Sequence, residues 1–121
     1  MDFTKLNGLI PAVVQDSASG EVLMVGFMNA EAFARTRSSG YATFFSRTRN
    51  RLWVKGETSG NRLQVTQMLT DCDDDTILVK VVCEGEGVAC HTGARSCFRP
   101  FESESVRNEP SDVDRGEGPV N

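Results

Sequence analysis

Three of the four cysteines and the single histidine of this chain fall in two short segments. The first is Asp71-Cys72-Asp73-Asp74-Asp75, and the second holds Cys90-His91 and Cys97. Acid, thiol and imidazole side chains together are metal-ligand chemistry. The chain is short, which sharpens the constraint. Its 121 residues make one domain, and 39% apolar content gives a core that is not generous. Domains of this size bury a modest fraction of their surface and often lean on a metal or on oligomerisation.

The formal charge of −4 is unevenly spread. Residues 102–121 hold six acids and two bases, which leaves residues 1–101 neutral with eleven of each. Residues 35–62 carry seven bases against one acid, Glu57. A basic stretch in a neutral body points to a small anionic ligand and away from nucleic acid, which would want a larger basic face. No basic region followed by an apolar run opens the chain, and no apolar run approaches membrane-spanning length. The expected location is the cytoplasm, with no membrane partner. Thiols stay reduced there, so the cysteines read as metal ligands or core before they read as disulfides.

Patterning predicts about seven mainly antiparallel strands and one helix. Residues 8–16 and 21–27, joined by a small polar turn, read as a hairpin. Asn29 is a helix N-cap, residues 30–39 are the helix with Ala30, Phe33 and Ala34 on one side, and Gly40 is its stop. Residues 41–46 and 51–55 flank a polar turn, 63–69 alternate only in part, and 76–83 form an apolar strand. A glycine-containing turn follows. Residues 90–101 read as irregular with a short terminal strand. From Glu102 onward apolar periodicity is absent, and 102–121 read as a disordered acidic tail behind a domain at 1–101.

If Asp71–Asp75 begins the strand that continues through Val82, Asp71, Asp73 and Asp75 share one face and Cys72 the other. Three carboxylates on one face ionise together comfortably around a cation, and all-oxygen ligation suits Mg²⁺ or Ca²⁺. Acidic surface turns are common, and Cys72 in their midst tips the reading toward metal. Cys72 precedes Cys90 by eighteen positions, and Cys97 follows at seven more. That is not a paired Cys-x-x-Cys motif. Three thiolates with a fourth position open to water is instead the pattern of a catalytic zinc. The polar company of Cys90 and Cys97 argues against a core role, whereas Cys83 ends an apolar strand and reads as core. His91, beside a candidate ligand, is the best available proton carrier near neutral pH. Arg47, Arg49 and Arg51 crowd a hairpin. Lys55 then precedes Gly56-Glu57-Thr58-Ser59-Gly60-Asn61, where backbone N–H groups and the side chains of Thr58, Ser59 and Asn61 could hold a phosphate. Trp53 fits either the core or a stack on a base.

These stretches together resemble the phosphoribosyl-AMP cyclohydrolases of histidine biosynthesis. The matching residues are Phe44-Phe45-Ser46-Arg47-Thr48-Arg49, Leu52 through Asn61, Asp71 through Asp75, Ala89-Cys90-His91-Thr92-Gly93 and Ser96-Cys97-Phe98. The resemblance runs from about Leu6 to Phe98. It implies a barrel-like or two-sheet α+β fold in an intertwined homodimer. It implies hydrolytic opening of the N1–C6 bond of phosphoribosyl-AMP. It implies zinc at Cys72, Cys90 and Cys97, shared across the dimer with Cys72 on one chain and the other two on its partner. Magnesium is implied at Asp71, Asp73 and Asp75. The two phosphates of the substrate account for Arg47, Arg49, Lys55 and the glycine loop, with Trp53, Glu57, Thr58, Ser59 and Asn61 as further expected contacts and His91 as the proton carrier. The pyrophosphohydrolase domain of bifunctional members is not expected here, since only the acidic tail follows Phe101. A nucleobase deaminase would need His-x-Glu and Pro-Cys-x-x-Cys, and neither is present. A zinc-stabilised binding module would fill all four zinc positions. A thiol redox protein would want Cys-x-x-Cys, which does not occur.

Overall fold

A computed structural model describes residues 1–101. The expected tail at 102–121 lies outside the described residues. Six strands and one helix follow in the order β1 (Ile10–Asp16), β2 (Val22–Met28), α1 (Ala30–Ser39), β3 (Thr43–Ser46), β4 (Arg51–Val54), β5 (Leu63–Thr70) and β6 (Ile77–Cys83). They make a four-stranded sheet in the order β2-β1-β6-β5 and a two-stranded β3-β4 sheet. The fold is mainly β with one helix and two sheets. Of the two expected forms the two-sheet one stands, and the described residues close no barrel. The expected terminal strand at 90–101 is absent from the described residues, because that segment turns on itself instead.

Strand β1 alternates as a half-buried strand should. Ile10, Ala12, Val14 and Asp16 point into the core, and Pro11, Val13 and Gln15 point outward. Its pairing with β2 is the expected antiparallel hairpin. Its other neighbour is β6, in parallel, with Val13 opposite Leu78 and Gln15 opposite Lys80. Local patterning cannot foresee a pairing between strands some sixty residues apart. Strand β5 completes the sheet against β6. Its imperfect alternation has a cause. Val65 faces Val81 but Gln67 faces Lys80, so Thr66 is an extra residue in a bulge. Past it the inward position passes to Met68. A similar slip on β2 leaves Leu23 unmatched between Val22 and Met24.

Asn29 caps α1, its Oδ1 accepting from Ala32 N at 2.8 Å, and the Gly40 N–H returns to Thr36 O. The buried side of the helix is Ala32 and Thr36, not Ala30 and Ala34, which are exposed. A hydroxyl decides this. Thr36 Oγ1 accepts from Thr43 N at 3.0 Å and donates to the carbonyls of Ala32 and Thr43, at 2.9 and 3.2 Å. Those bonds turn that face toward β3. Phe33 packs edge-on against Phe3.

The short sheet is tied to the large one through residues 40–42. Ala42 N donates to Leu63 O, Val65 N to Gly40 O, and Lys55 N to Ala42 O. Phe44 from β3 is fully buried under β2. A Cβ at Gly26 would lie 2.7 Å from Phe44 Cδ1, so the strand has no side chain where the ring sits. Gly26→Val overpacks this contact, and a loss of about 1–3 kcal/mol is expected in urea unfolding.

Candidate functional site

The β3–β4 hairpin and the loop behind it build two adjoining cavities. Asn50, at φ 54°, turns the hairpin and donates its N–H to Ser46 O. After β4 the chain reverses at Gly56. Its φ is +80°, and a Cβ there would run into the Asn61 backbone, so only glycine fits. Glu57 accepts from Val54 N at 3.1 Å, which fixes the loop to the strand. Asn61 Oδ1 accepts from Glu86 N at 2.9 Å and joins this loop to the turn after β6.

The first cavity, about 360 Å³, is walled by Ser46, Arg49, Arg51, Trp53, Val54, Gly56, Glu57, Thr58 and Ser59. Two guanidinium groups and two hydroxyls on a glycine loop can take an anion. The second, about 340 Å³, is walled by Lys55, Ser59 and Asn61 on one side and by Glu86, Ala89, Cys90, His91 and Gly93 on the other. Ser59 is common to both. Trp53 leans on Phe44 with ring centroids 5.2 Å apart and still walls the first cavity, so it packs in the core and meets the pocket.

The structure thus gathers Arg49, Trp53, Lys55, Glu57, Thr58, Ser59, Asn61 and His91 around the two cavities. Arg47 is not among them. Its guanidinium lies 4.1 Å over the Phe27 ring. Arg51 and Ser46 take part without having been expected as contacts. The arginine-rich turn was the signal for Arg51, but a sequence does not say which of three arginines faces a pocket.

The loop holding Cys90 and His91 is a tight turn, with Gly93 N donating to Cys90 O and Ala89 N to Arg95 O. Arg95 clamps it to the β1–β2 hairpin. Its guanidinium meets the buried Asp16 and Glu21, both at 2.9 Å, and Gly87 O at 3.1 Å. Bonds from the Ser19 N–H, reinforced by Arg95, hold the Asp16 carboxyl below the usual carboxylate range. Ser96 Oγ donates to Val22 O, and Cys97 N to Leu23 O at 2.7 Å. The Cys97 thiol adjoins that of Cys90. Thr92 donates its hydroxyl to Cys90 Sγ at 3.1 Å and draws that thiol toward thiolate, while burial pushes Cys97 up.

Cys72 is elsewhere. It lies in the β5–β6 turn, at the start of β6, whereas the other two thiols lie past its end. Seven residues of strand separate them by about 20 Å. Cys72 is exposed. Two adjacent thiols and one distant, accessible thiol fit a zinc site completed between chains, and do not fit one closed within a chain.

Asp71–Thr76 is a turn, not the expected start of a strand. The carboxylates converge for a different reason. Asp71 Oδ1 accepts from Asp75 N at 3.1 Å and Thr76 N at 3.3 Å, and Asp74 takes φ 60°. That fold-back brings one ligand atom each of Asp71, Asp73 and Asp75 within 4.8 Å of one another. Lys5 Nζ sits 3.0 Å from both Asp73 Oδ2 and Asp75 Oδ2. Its hydrogen bond holds Asp75 down at about 2, and Lys5 itself is raised by Asp75 and then Asp73. Three carboxylate oxygens suit a small hard cation, which would have to displace the Lys5 ammonium that now pairs with two of them.

The family model described as phosphoribosyl-AMP cyclohydrolase matches residues 24–99. A phosphoribosyl-AMP cyclohydrolase of Solibacter usitatus is 59% identical over 98 residues, covering 81% of this chain and 77% of its own. That of Citrifermentans bemidjiense is 58% identical over the same length, covering 81% and 78%. The histidine biosynthesis bifunctional protein HisIE of Bacteroides thetaiotaomicron is 50% identical over 106 residues, which are 88% of this chain and 51% of that protein. The match spans the hairpin, the glycine loop, the acidic turn and the thiol loop, and the chain belongs to the phosphoribosyl-AMP cyclohydrolase family.

Proposed function

We propose that this chain is a cytoplasmic hydrolase of histidine biosynthesis that opens the N1–C6 bond of 1-(5-phosphoribosyl)-AMP to give phosphoribosyl-formimino-aminoimidazole-carboxamide ribotide, the third step of that sequence. One observation carries the reading. A cavity walled by Cys90, His91 and Lys55 opens beside a second one walled by two arginines and a glycine loop. The substrate has one reacting ring and two terminal phosphates, so it needs a chemical centre with separate anion sites around it.

In this reading Cys90 and Cys97 hold zinc together with Cys72 of the partner subunit in a homodimer, and Asp71, Asp73 and Asp75 hold magnesium. Zinc, where bound, supplies a Lewis acid that makes hydroxide available near neutral pH. The chain's own residues do the rest. Arg49 and Arg51, with the hydroxyls of Thr58 and Ser59, fix one phosphate. Lys55 and Asn61 stand at the second cavity, where the purine and the other phosphate approach. Trp53 gives the first cavity an apolar wall, and Glu57 keeps the loop in shape by holding Val54 N. Water adds its oxygen to C6, the N1–C6 bond breaks, and His91 delivers a proton to the departing N1. The Thr92 hydroxyl on Cys90 Sγ favours the thiolate a metal requires.

Cys90→Ser is expected to lose both zinc and turnover, read by metal analysis and by the ultraviolet absorbance change of ring opening. His91→Ala should keep its zinc and lose roughly 10²–10⁴-fold in kcat. Full turnover in a zinc-loaded His91→Ala protein removes His91 from the mechanism. Arg49→Ala and Arg51→Ala each remove a charge-assisted contact of about 1.5–3 kcal/mol, so KM should rise about ten- to a hundredfold while kcat holds. An unchanged KM in both variants would place the phosphate elsewhere.

A further inference from the structure

Carboxylates that converge repel one another, and a nearby positive charge offsets that repulsion whether it comes from a metal or from the chain. In the acidic turn it comes from the far end of the chain. Lys5 stands 68 residues before Asp73 and 70 before Asp75, and its Nζ donates to Oδ2 of each at 3.0 Å. Other oxygens of the turn are engaged within it. Asp71 Oδ1 accepts from the Asp75 and Thr76 N–H groups, Asp74 Oδ1 from the Thr70 hydroxyl at 3.0 Å, and Asp75 Oδ1 from the Thr76 hydroxyl at 3.3 Å. Of the two oxygens of Asp75, Lys5 therefore holds the one that Thr76 leaves.

A short folded segment delivers the ammonium. Asp2 N donates to Asp74 O at 2.6 Å, and Gly8 N returns to Phe3 O at 2.7 Å. Thr4 donates its N–H and its hydroxyl to Asp2 Oδ1, at 2.8 and 2.6 Å. Phe3 packs on Phe33, and Asn7 and Gly8, at φ 53° and 92°, turn the chain toward β1. The ammonium is thus tethered beside the carboxylates, at an effective concentration on the order of millimolar. A small hard cation on the same carboxylates sits about 2.0–2.1 Å from its ligand oxygens. An ammonium kept on those oxygens would be a second positive charge a few ångströms away, so the two occupants exclude each other. A contact that stabilises the metal-free state and is lost on binding lowers the apparent affinity for the metal.

We propose that Lys5 is a built-in placeholder for the cation: it keeps Asp73 and Asp75 together while no metal is bound, leaves them when one binds, and so sets the concentration at which the site fills. This rests on the preceding reading that Asp71, Asp73 and Asp75 hold magnesium, and adds the residue that governs how readily they do so. The sign is the reverse of that for a residue that assists the metal, because removing Lys5 tightens binding.

The test titrates Mg²⁺ into zinc-loaded full-length wild type, Lys5→Met and Lys5→Arg by isothermal calorimetry. Thermal unfolding of each is followed with and without saturating Mg²⁺. Lys5 is exposed, so both variants keep the fold. Lys5→Met is expected to bind Mg²⁺ about ten times more tightly than wild type. Lys5→Arg, which keeps a tethered cation, should stay within about threefold of wild type. Without Mg²⁺, Lys5→Met should melt below wild type, and at saturating Mg²⁺ that gap should close. A Lys5→Met protein that binds Mg²⁺ no more tightly than wild type, or whose melting deficit is the same with Mg²⁺ as without, overturns the proposal and leaves the magnesium reading in place. Absence of binding in all three proteins, or undiminished binding in Asp73→Asn/Asp75→Asn, overturns the magnesium reading and the proposal with it.

Discussion

The parallel pairing of β1 with β6 governs the geometry of this molecule. These two strands are the middle of the large sheet, and their inward residues, Ile10, Ala12, Val14, Ile77, Val79 and Val81, lie at the centre of the core. Because the pair is central, whatever precedes and follows β6 is delivered to opposite ends of the sheet. The acidic turn lies at one end and the thiol loop at the other. Burying seven-residue apolar strands on one face thereby fixes how far the acidic turn stands from the Cys90–Cys97 loop.

Each end is then made firm by its own electrostatics. At the thiol end the buried Asp16 carboxylate receives Arg95, and Arg95 also takes Glu21 and the Gly87 carbonyl. A guanidinium with several donors in a rigid fork suits this task, since it joins the end of β1, the β1–β2 turn and the turn after β6 at once. Cys97 is held in turn through its own backbone N–H to Leu23. At the acidic end the turn is held from within by Asp71 and from without by Lys5. Of the two cavities, the first belongs to neither end, and the second has the thiol loop for one wall. The shared wall of both comes from the short sheet and the loop behind it, and that sheet meets the large one through the backbone of residues 40–42.

Residue chemistry was more legible in the sequence than residue position. The alternate aspartates and the pair Cys90 and Cys97 do come together as their residue types suggested, and Asn29 and Gly40 mark the helix ends by local bonding alone. Strand alternation was a sound guide to β1 and β6 but the wrong reason for the aspartates, which converge through a turn closed by Asp71 Oδ1. The parallel pair, the distance from Cys72 to Cys90, the burial of Thr36 in place of Ala34, and the diversion of Arg47 onto Phe27 all depend on contacts between remote parts of the chain. No local window contains them.

The two register slips described for the large sheet fall on its two outermost strands, at Leu23 on β2 and Thr66 on β5. An outer strand with a clean ladder is a template for further strands and an invitation to aggregate. Here each border is bent where it would otherwise be flat, and Thr66 turns its hydroxyl inward to the Lys80 carbonyl. A bent border is a poor template, so the addition of further strands is disfavoured on both sides of the sheet.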